Sequence, residues 1–168
     1  ATVQLSSQLT AAVFHLAAFG DNTMPAALRK LLEDSSIAKV GVASRGDATR
    51  LRWDYNVEVA NVRSTDELAK NVLSLQKSGW KLKRLCDLLL GKELPKEKVV
   101  SHNMWETVPL PEDELNYAAL DAFASVLVHM ELENMAMKST HSASGYQNAE
   151  AVGAEDENGV NDGPSNQD

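Results

Sequence analysis

The sequence predicts an α/β layer fold. Short apolar runs of strand length alternate with stretches of helical period, and two such runs open the chain close enough together for a hairpin. Residues 2–6, TVQLS, and 12–17, AVFHLA, are the two hairpin strands. Residues 24–34 read as a helix. Pro25 suits its first turn, and Ala27, Leu28, Leu31 and Leu32 form one apolar stripe. Residues 37–43, IAKVGVA, read as a short strand buried on both faces. The turn SRGD follows, with Asp47 as the N-cap of a helix to about Tyr55, and VEVANV at 57–62 reads as another strand. A helix from Ser64 to Gln76 opens on STDE, which fits a cap with acids in the first turn. The amphipathic run from Trp80 to Leu90 ends at Gly91, a Lys-rich loop leads to Pro109, and a long helix starts near Pro111. Glu112, Asp113 and Glu114 fill its first turn, and it is expected to end near Lys138.

Residues 1–138 thus form the expected domain. Residues 139–168, rich in Ser, Gly, Asn and acids, are expected to be a disordered tail, because they hold too little apolar surface to offset the entropy of ordering. The net charge of −8 is uneven. The tail segment carries six acids and no Lys or Arg, leaving 18 acids against 16 bases before it. The overall acidity therefore does not exclude a nucleic-acid partner. One cysteine, Cys86, rules out an intrachain disulfide, and its apolar helical setting, RLCDLLL, fits a buried thiol. The longest apolar stretch, AAVFHLAAF, has nine residues, far below the ~20 a membrane span needs. No HxxxH, CxxC, GxxxxGK[ST] or GxGxxG pattern occurs, so neither a structural zinc site nor a nucleotide-cradling loop is supported.

Chemistry concentrates at residues 115–124, LNYAALDAFA. Tyr117 and Asp121, at i and i+4, share a helix face with Cβ atoms about 5–6 Å apart. A carboxylate beside a phenol suits metal-assisted hydrolysis, in which the acid holds a divalent ion and the phenol positions the attacking water. A surface aspartate beside a half-buried tyrosine has the same spacing. Asp47 follows a presumed buried strand, and ligands of open α/β sheets gather at strand carboxyl ends; a plain N-cap fits it as well. Arg45, Arg50 and Arg52 flank Asp47, Lys81, Lys83 and Arg84 lie on the Trp80 helix, and Lys92, Lys96 and Lys98 fill the loop. They suit phosphate contacts or a merely solvated surface. Trp80 and Trp105 suit base stacking or packing.

Together these stretches resemble a known family. LNYAALDAFA looks like the third motif of the DEDDy 3′-5′ exonucleases, Tyr-x-x-x-Asp. KVGVASRGDATRL looks like their second motif in the Werner-syndrome-type exonuclease domain, and the run from Trp80 through GKELPKEKVVSHNMWETVPLPEDELNYAALDA is similar in order and spacing. Ribonuclease D is a more distant relative on the same pattern. The resemblance covers residues 1 to about 135 and implies a ribonuclease H-like fold, a mixed sheet flanked by helices. It also implies two Mg²⁺ or Mn²⁺ ions held by four acids, release of nucleoside monophosphates from a nucleic-acid 3′ end, and a nuclear location. Asp121 then matches a direct metal ligand, Asp47 a carboxylate acting through metal-bound water, and Tyr117 the group that orients the nucleophile. Arg45, Lys92, Lys96 and Trp105 would contact nucleic acid. The family's first motif, Asp-x-Glu, lies on a preceding central strand, yet the earliest acid here is Asp21. The chain is therefore expected to lack that strand, to leave inner strand edges unpaired, and to be inactive alone. The alternative is a catalytically dead homologue that binds nucleic acid or protein.

Overall fold

The computed structural model describes residues 1–20, 23–75, 80–95 and 104–150, with side chains described as far as residue 140. Residues 1–134 form one compact unit and 135–168 a second. In the first unit, β1 (Thr2–Ser6) and β2 (Ala11–His15) pair antiparallel, with Thr2 opposite His15 and Ser6 opposite Ala11. The turn closes on itself: the Ser7 amide donates to the Thr10 carbonyl at 2.9 Å, and the Thr10 amide to Ser7 Oγ at 3.2 Å. The expected run of β2 to residue 17 is cut short by a 3-10 turn, Leu16–Phe19, which buries Leu16.

After α1 (Ala26–Glu33), β3 (Lys39–Gly41) pairs parallel with β4 (Val62–Ser64), and α2 (Ser44–Tyr55) links them. Then come α3 (Thr65–Val72), α4 (Leu82–Leu90) and α5 (Glu112–Glu150). Gly91 ends α4 at φ 59°, a left-handed conformation that a residue without Cβ adopts at little cost. The expected strand at 57–62 is not a ladder. Val57 is fully buried against Leu16, Met24, Leu28 and Leu32, so the Val-x-Val alternation reflects core packing, and pairing begins only at Val62. α5 continues past Lys138, where the sequence predicted its end. There the Ser139 hydroxyl bonds back to the Met135 carbonyl and the Thr140 hydroxyl to that of Met137. The expected tail from 151 onward lies outside the described residues.

A second buried cluster backs α5. Ala124, Val128 and Leu132 recur at four-residue spacing and pack on Ala69 of α3 and on Leu85 and Cys86 of α4. Beside it a buried polar tie joins α3 to α5. The Thr65 hydroxyl lies 3.0 Å from His129 Nδ1, while Nε2 faces the Glu133 carboxylate at 3.4 Å without an aligned hydrogen bond. Burial pushes the His129 pKa down; Glu133 opposes the shift and Arg63 adds to it. The neutral ring is thus the form the fold favours, so its contribution to stability is complete above the ordinary histidine value and declines as pH falls below it.

The strands form two two-stranded sheets, in keeping with a mixed sheet that lacks a central strand: among the described residues β1 pairs only with β2, antiparallel, and β3 only with β4, parallel. Their open edges can be assigned. Leu16 N–H bonds to the Ala1 carbonyl and Ser7 N–H to the Thr10 carbonyl, so odd-numbered residues of β1 face β2 and the backbone groups of Thr2, Gln4 and Ser6 turn away from it. Lys39 N–H bonds to the Asn61 carbonyl, so Val40 turns away from β4. Two cavities of about 720 and 560 Å³ share Ser7, Ala38, Val40 and Val126 as lining. Gln4, Ser6, Asp121 and Ser125 line the first; His129 and Glu133 line the second. Asp121, Ser125, His129 and Glu133 form one i, i+4 row on α5. At the α-helical rise that row is about 18 Å long, which is the length of a strand of five or six residues.

Candidate active site

The larger cavity gathers the chemistry. Asp47 and Asp121, far apart in sequence, both line it, as do Lys81 at the start of α4 and Ser125 one turn beyond Asp121. Asp121 is half-buried on the α5 face that turns from the apolar cluster toward the cavity; Ala118, Ala122 and Ala124 around it are buried. Small side chains there let α5 pack closely, which explains an acid set among alanines. The neighbouring thiol of Cys86 is pushed up first by burial and then by the charge of Asp121.

Asp47 does not cap α2, as the sequence predicts. It lies in the helix's first turn, and the N-cap position falls on Ala43, in the left-handed region at φ 57°. The Ala43 amide is satisfied instead by Asp66 Oδ1 from the start of α3, at 2.9 Å. Burial of the Asp66 carboxyl opposes its charge, but bonds from the Ser64 hydroxyl and the Ala43 amide, helped by Arg45, hold its pKa below the ordinary value. The expected STDE cap is thus diverted: the Ser64 hydroxyl donates to Asp66 at 2.6 Å rather than accepting from its own helix.

Relieved of capping, Asp47 faces the cavity mouth. The residue is exposed overall, but partial desolvation of its carboxyl raises its pKa, and the Arg50 charge only partly opposes this. A carboxyl with a raised folded pKa adds stability below its ordinary range and loses it as pH rises through the folded value, so at neutral pH the ionised group is a net cost. Asp47→Asn is therefore expected to raise the Tm of the metal-free chain at pH 7 slightly, because the exposure of the group screens most of the cost of its charge. The gain should vanish near pH 3. Thermal melts at the two pH values check it, and a fall in Tm at pH 7 would show that the Asp47 charge already has an adequate partner.

Tyr117 lies one turn before Asp121 on α5 and packs T-shaped against Trp105, with ring centroids 6.4 Å apart and planes at 71°. Trp105 is thus partly packed. Arg45 is exposed and pairs with Glu67 at 2.9 Å. Arg50 pairs with Asp54, Arg52 with Glu58, and Arg84 lies 4.1 Å over the Trp80 ring. Such exposed pairs are weak enough to yield to a phosphate. Lys92 is exposed just beyond Gly91, and Lys96 lies outside the described residues. Lys81 and Ser125 were not singled out from sequence as site residues; only the basic run of α4 hinted at the former. Among the described residues no group of three or more His, Cys, Asp or Glu side chains could hold a metal ion, and no helix is long and apolar enough to cross a membrane.

A family model described as 3′-5′ exonuclease matches residues 1–136. The "Bifunctional 3′-5′ exonuclease/ATP-dependent helicase WRN" of Mus musculus is 33% identical over 136 residues, which are 80% of this chain and 10% of that protein. A "3′-5′ exonuclease" of Arabidopsis thaliana is 36% identical over 112 residues, 67% of this chain and 38% of that one. The chain therefore spans well under two thirds of the length of either relative. Among solved structures, Brucella melitensis NrnC bound to pGG matches with a TM-score of 0.66 and 26% identity, over 85% of this chain and 67% of that one. The fold is that of the ribonuclease H-like exonuclease domains. With residues 1–136 matched throughout, this chain belongs to the 3′-5′ exonuclease family.

Proposed function

We propose that residues 1–134 are the larger part of a divalent-metal-dependent 3′-5′ exonuclease site, and that the slot between β1 and β3 takes one further strand carrying the missing Asp-x-Glu pair. The observation that carries this reading is that Asp47 and Asp121 line one cavity bordered by two strand edges that are unpaired among the described residues. A carboxylate pair at the end of a slot of strand length suits a strand that brings two more acids to the same point.

The donor chemistry fits a hard cation in part. Asp47 is a partly desolvated carboxylate that its nearby arginine only partly compensates, and oxygen donors of this kind suit Mg²⁺ or Mn²⁺. Two carboxylates do not complete a two-ion shell, so the inserted strand and water supply the remaining donors. A bound pair of such ions would polarise the scissile phosphate and favour hydroxide at neutral pH. The chain's own residues do the rest. The Tyr117 hydroxyl orients the attacking water, Asp121 and Asp47 hold the charge that recruits the ions, and Lys81 at the cavity wall offers a phosphate partner. NrnC, of similar fold, was solved with pGG; by analogy the ligand here is the 3′ end of an oligonucleotide, with Arg45, Lys92, Lys96 and Trp105 as outer contacts.

The test compares the 168-residue chain with a longer one carrying an Asp-x-Glu strand ahead of Ala1. Each is incubated with 5′-labelled DNA or RNA and Mg²⁺ or Mn²⁺. The longer chain is expected to shorten the strand one nucleotide at a time from the 3′ end and to stop on adding EDTA. Binding of the oligonucleotide by both chains with no shortening would overturn the reading in favour of a binding module.

A further inference from the structure

The ring of Tyr117 is held through a contact that reaches back to the first hairpin. Its T-shaped partner, Trp105, lies in the short turn closed by the Thr107 amide on the Met104 carbonyl at 3.1 Å. The Trp105 carbonyl in turn lies 3.0 Å from Nε2 of His15, the last residue of β2. A carbonyl only accepts, so Nε2 must carry the proton and donate. His15 itself is fixed, being paired with Thr2 across the hairpin and followed directly by the buried Leu16.

We propose that His15 is a positioning residue for Tyr117, acting through the Trp105 turn. Among the described residues the turn at 104–107 pairs with no strand, so the His15 bond sets where the indole sits. The T-shaped contact with the indole then restrains the phenol ring. The same hairpin presents the open β1 edge to the slot, so one rigid element borders the strand-binding groove and also sets the tyrosine. The link to catalysis rests on the nuclease reading above; the link from His15 to the Tyr117 ring does not.

The test places 3-fluorotyrosine at position 117 and reads its ¹⁹F resonance in the folded chain. His15→Ala is expected to move the resonance toward that of the free amino acid, as is Trp105→Ala. His15→Gln, whose amide nitrogen lies near the place of Nε2, should keep it. If His15→Ala fails to fold, His15→Leu makes the same comparison while keeping the bulk. In the longer, strand-completed chain, His15→Ala should lower kcat on the order of 10–100-fold, the scale of a misplaced reacting group, with KM within about twofold, and His15→Gln should restore most of it. An unmoved resonance in folded His15→Ala overturns the proposal even if the enzyme is active. A moved resonance in a chain that never hydrolyses a 3′ end upholds the positioning and removes the nuclease reading instead.

Discussion

Asp121→Asn is expected to remove 3′-end hydrolysis by the strand-completed chain, by at least about 100-fold. That is the scale on which loss of even a supporting group around a bound metal lowers affinity or activity. The substitution keeps the shape of the side chain and removes its charge. Asp121 belongs to neither buried cluster, and its backbone stays in the α5 ladder, where its carbonyl accepts from the Ser125 hydroxyl at 2.8 Å. The fold should therefore survive, and circular dichroism melts of the variant should stay close to those of the parent. The effect should exceed that of Asp47→Asn, because Asp47 is exposed at the cavity mouth and its assigned role runs through water. Rates with Mg²⁺, measured on 5′-labelled substrate, decide the matter. An Asp121→Asn variant that keeps its rate within a few-fold removes the residue from the metal-binding role, whatever the cavity looks like.

The sequence made Asp121 visible because a helix repeats its faces: an acid one turn from a tyrosine and flanked by alanines stands out against the apolar pattern. The hairpin, Gly91 and the acidic first turn of α5 were legible for the same local reason. Features made by distant residues were not. Asp47 was expected to cap its helix, but the helix starts earlier, and the Ala43 amide at its start is satisfied by Asp66, 23 residues along the chain. Val57 alternates like a strand residue, yet its burial comes from α1 and the turn after β2 rather than from a ladder. Arg45 reads as a free cation until Glu67 appears beside it. The tie from His15 to Trp105 spans 90 residues and leaves no periodic signal. Local chemistry marks which groups are unusual; only the fold shows which of them share a cavity.

Leu85→Ala is expected to produce a large loss of stability, about 3 kcal/mol within the usual 2–5 for a buried leucine, or a fall in Tm of roughly 6–12 °C. Leu85 is fully buried in the cluster that backs α5. The cluster around it is set on three helices, whose backbones cannot close fully on the space it leaves, so a cavity term adds to the lost burial. Leu88, one turn along the same helix, is 55% exposed, so Leu88→Ala should change stability by less than about 0.5 kcal/mol. The pair isolates burial from composition, since both substitutions delete the same atoms and alter the same helix. Because Ala124, Val128 and Leu132 hold α5 against this cluster, a cavity there also loosens the wall that carries Asp121. Below its own Tm, Leu85→Ala should therefore lose metal-dependent stabilisation as well as intrinsic stability, while Leu88→Ala keeps both. Thermal melts with and without Mg²⁺ on the strand-completed chain read the two effects separately, and equal melting temperatures for the two variants would show that this cluster is not what supports the helix.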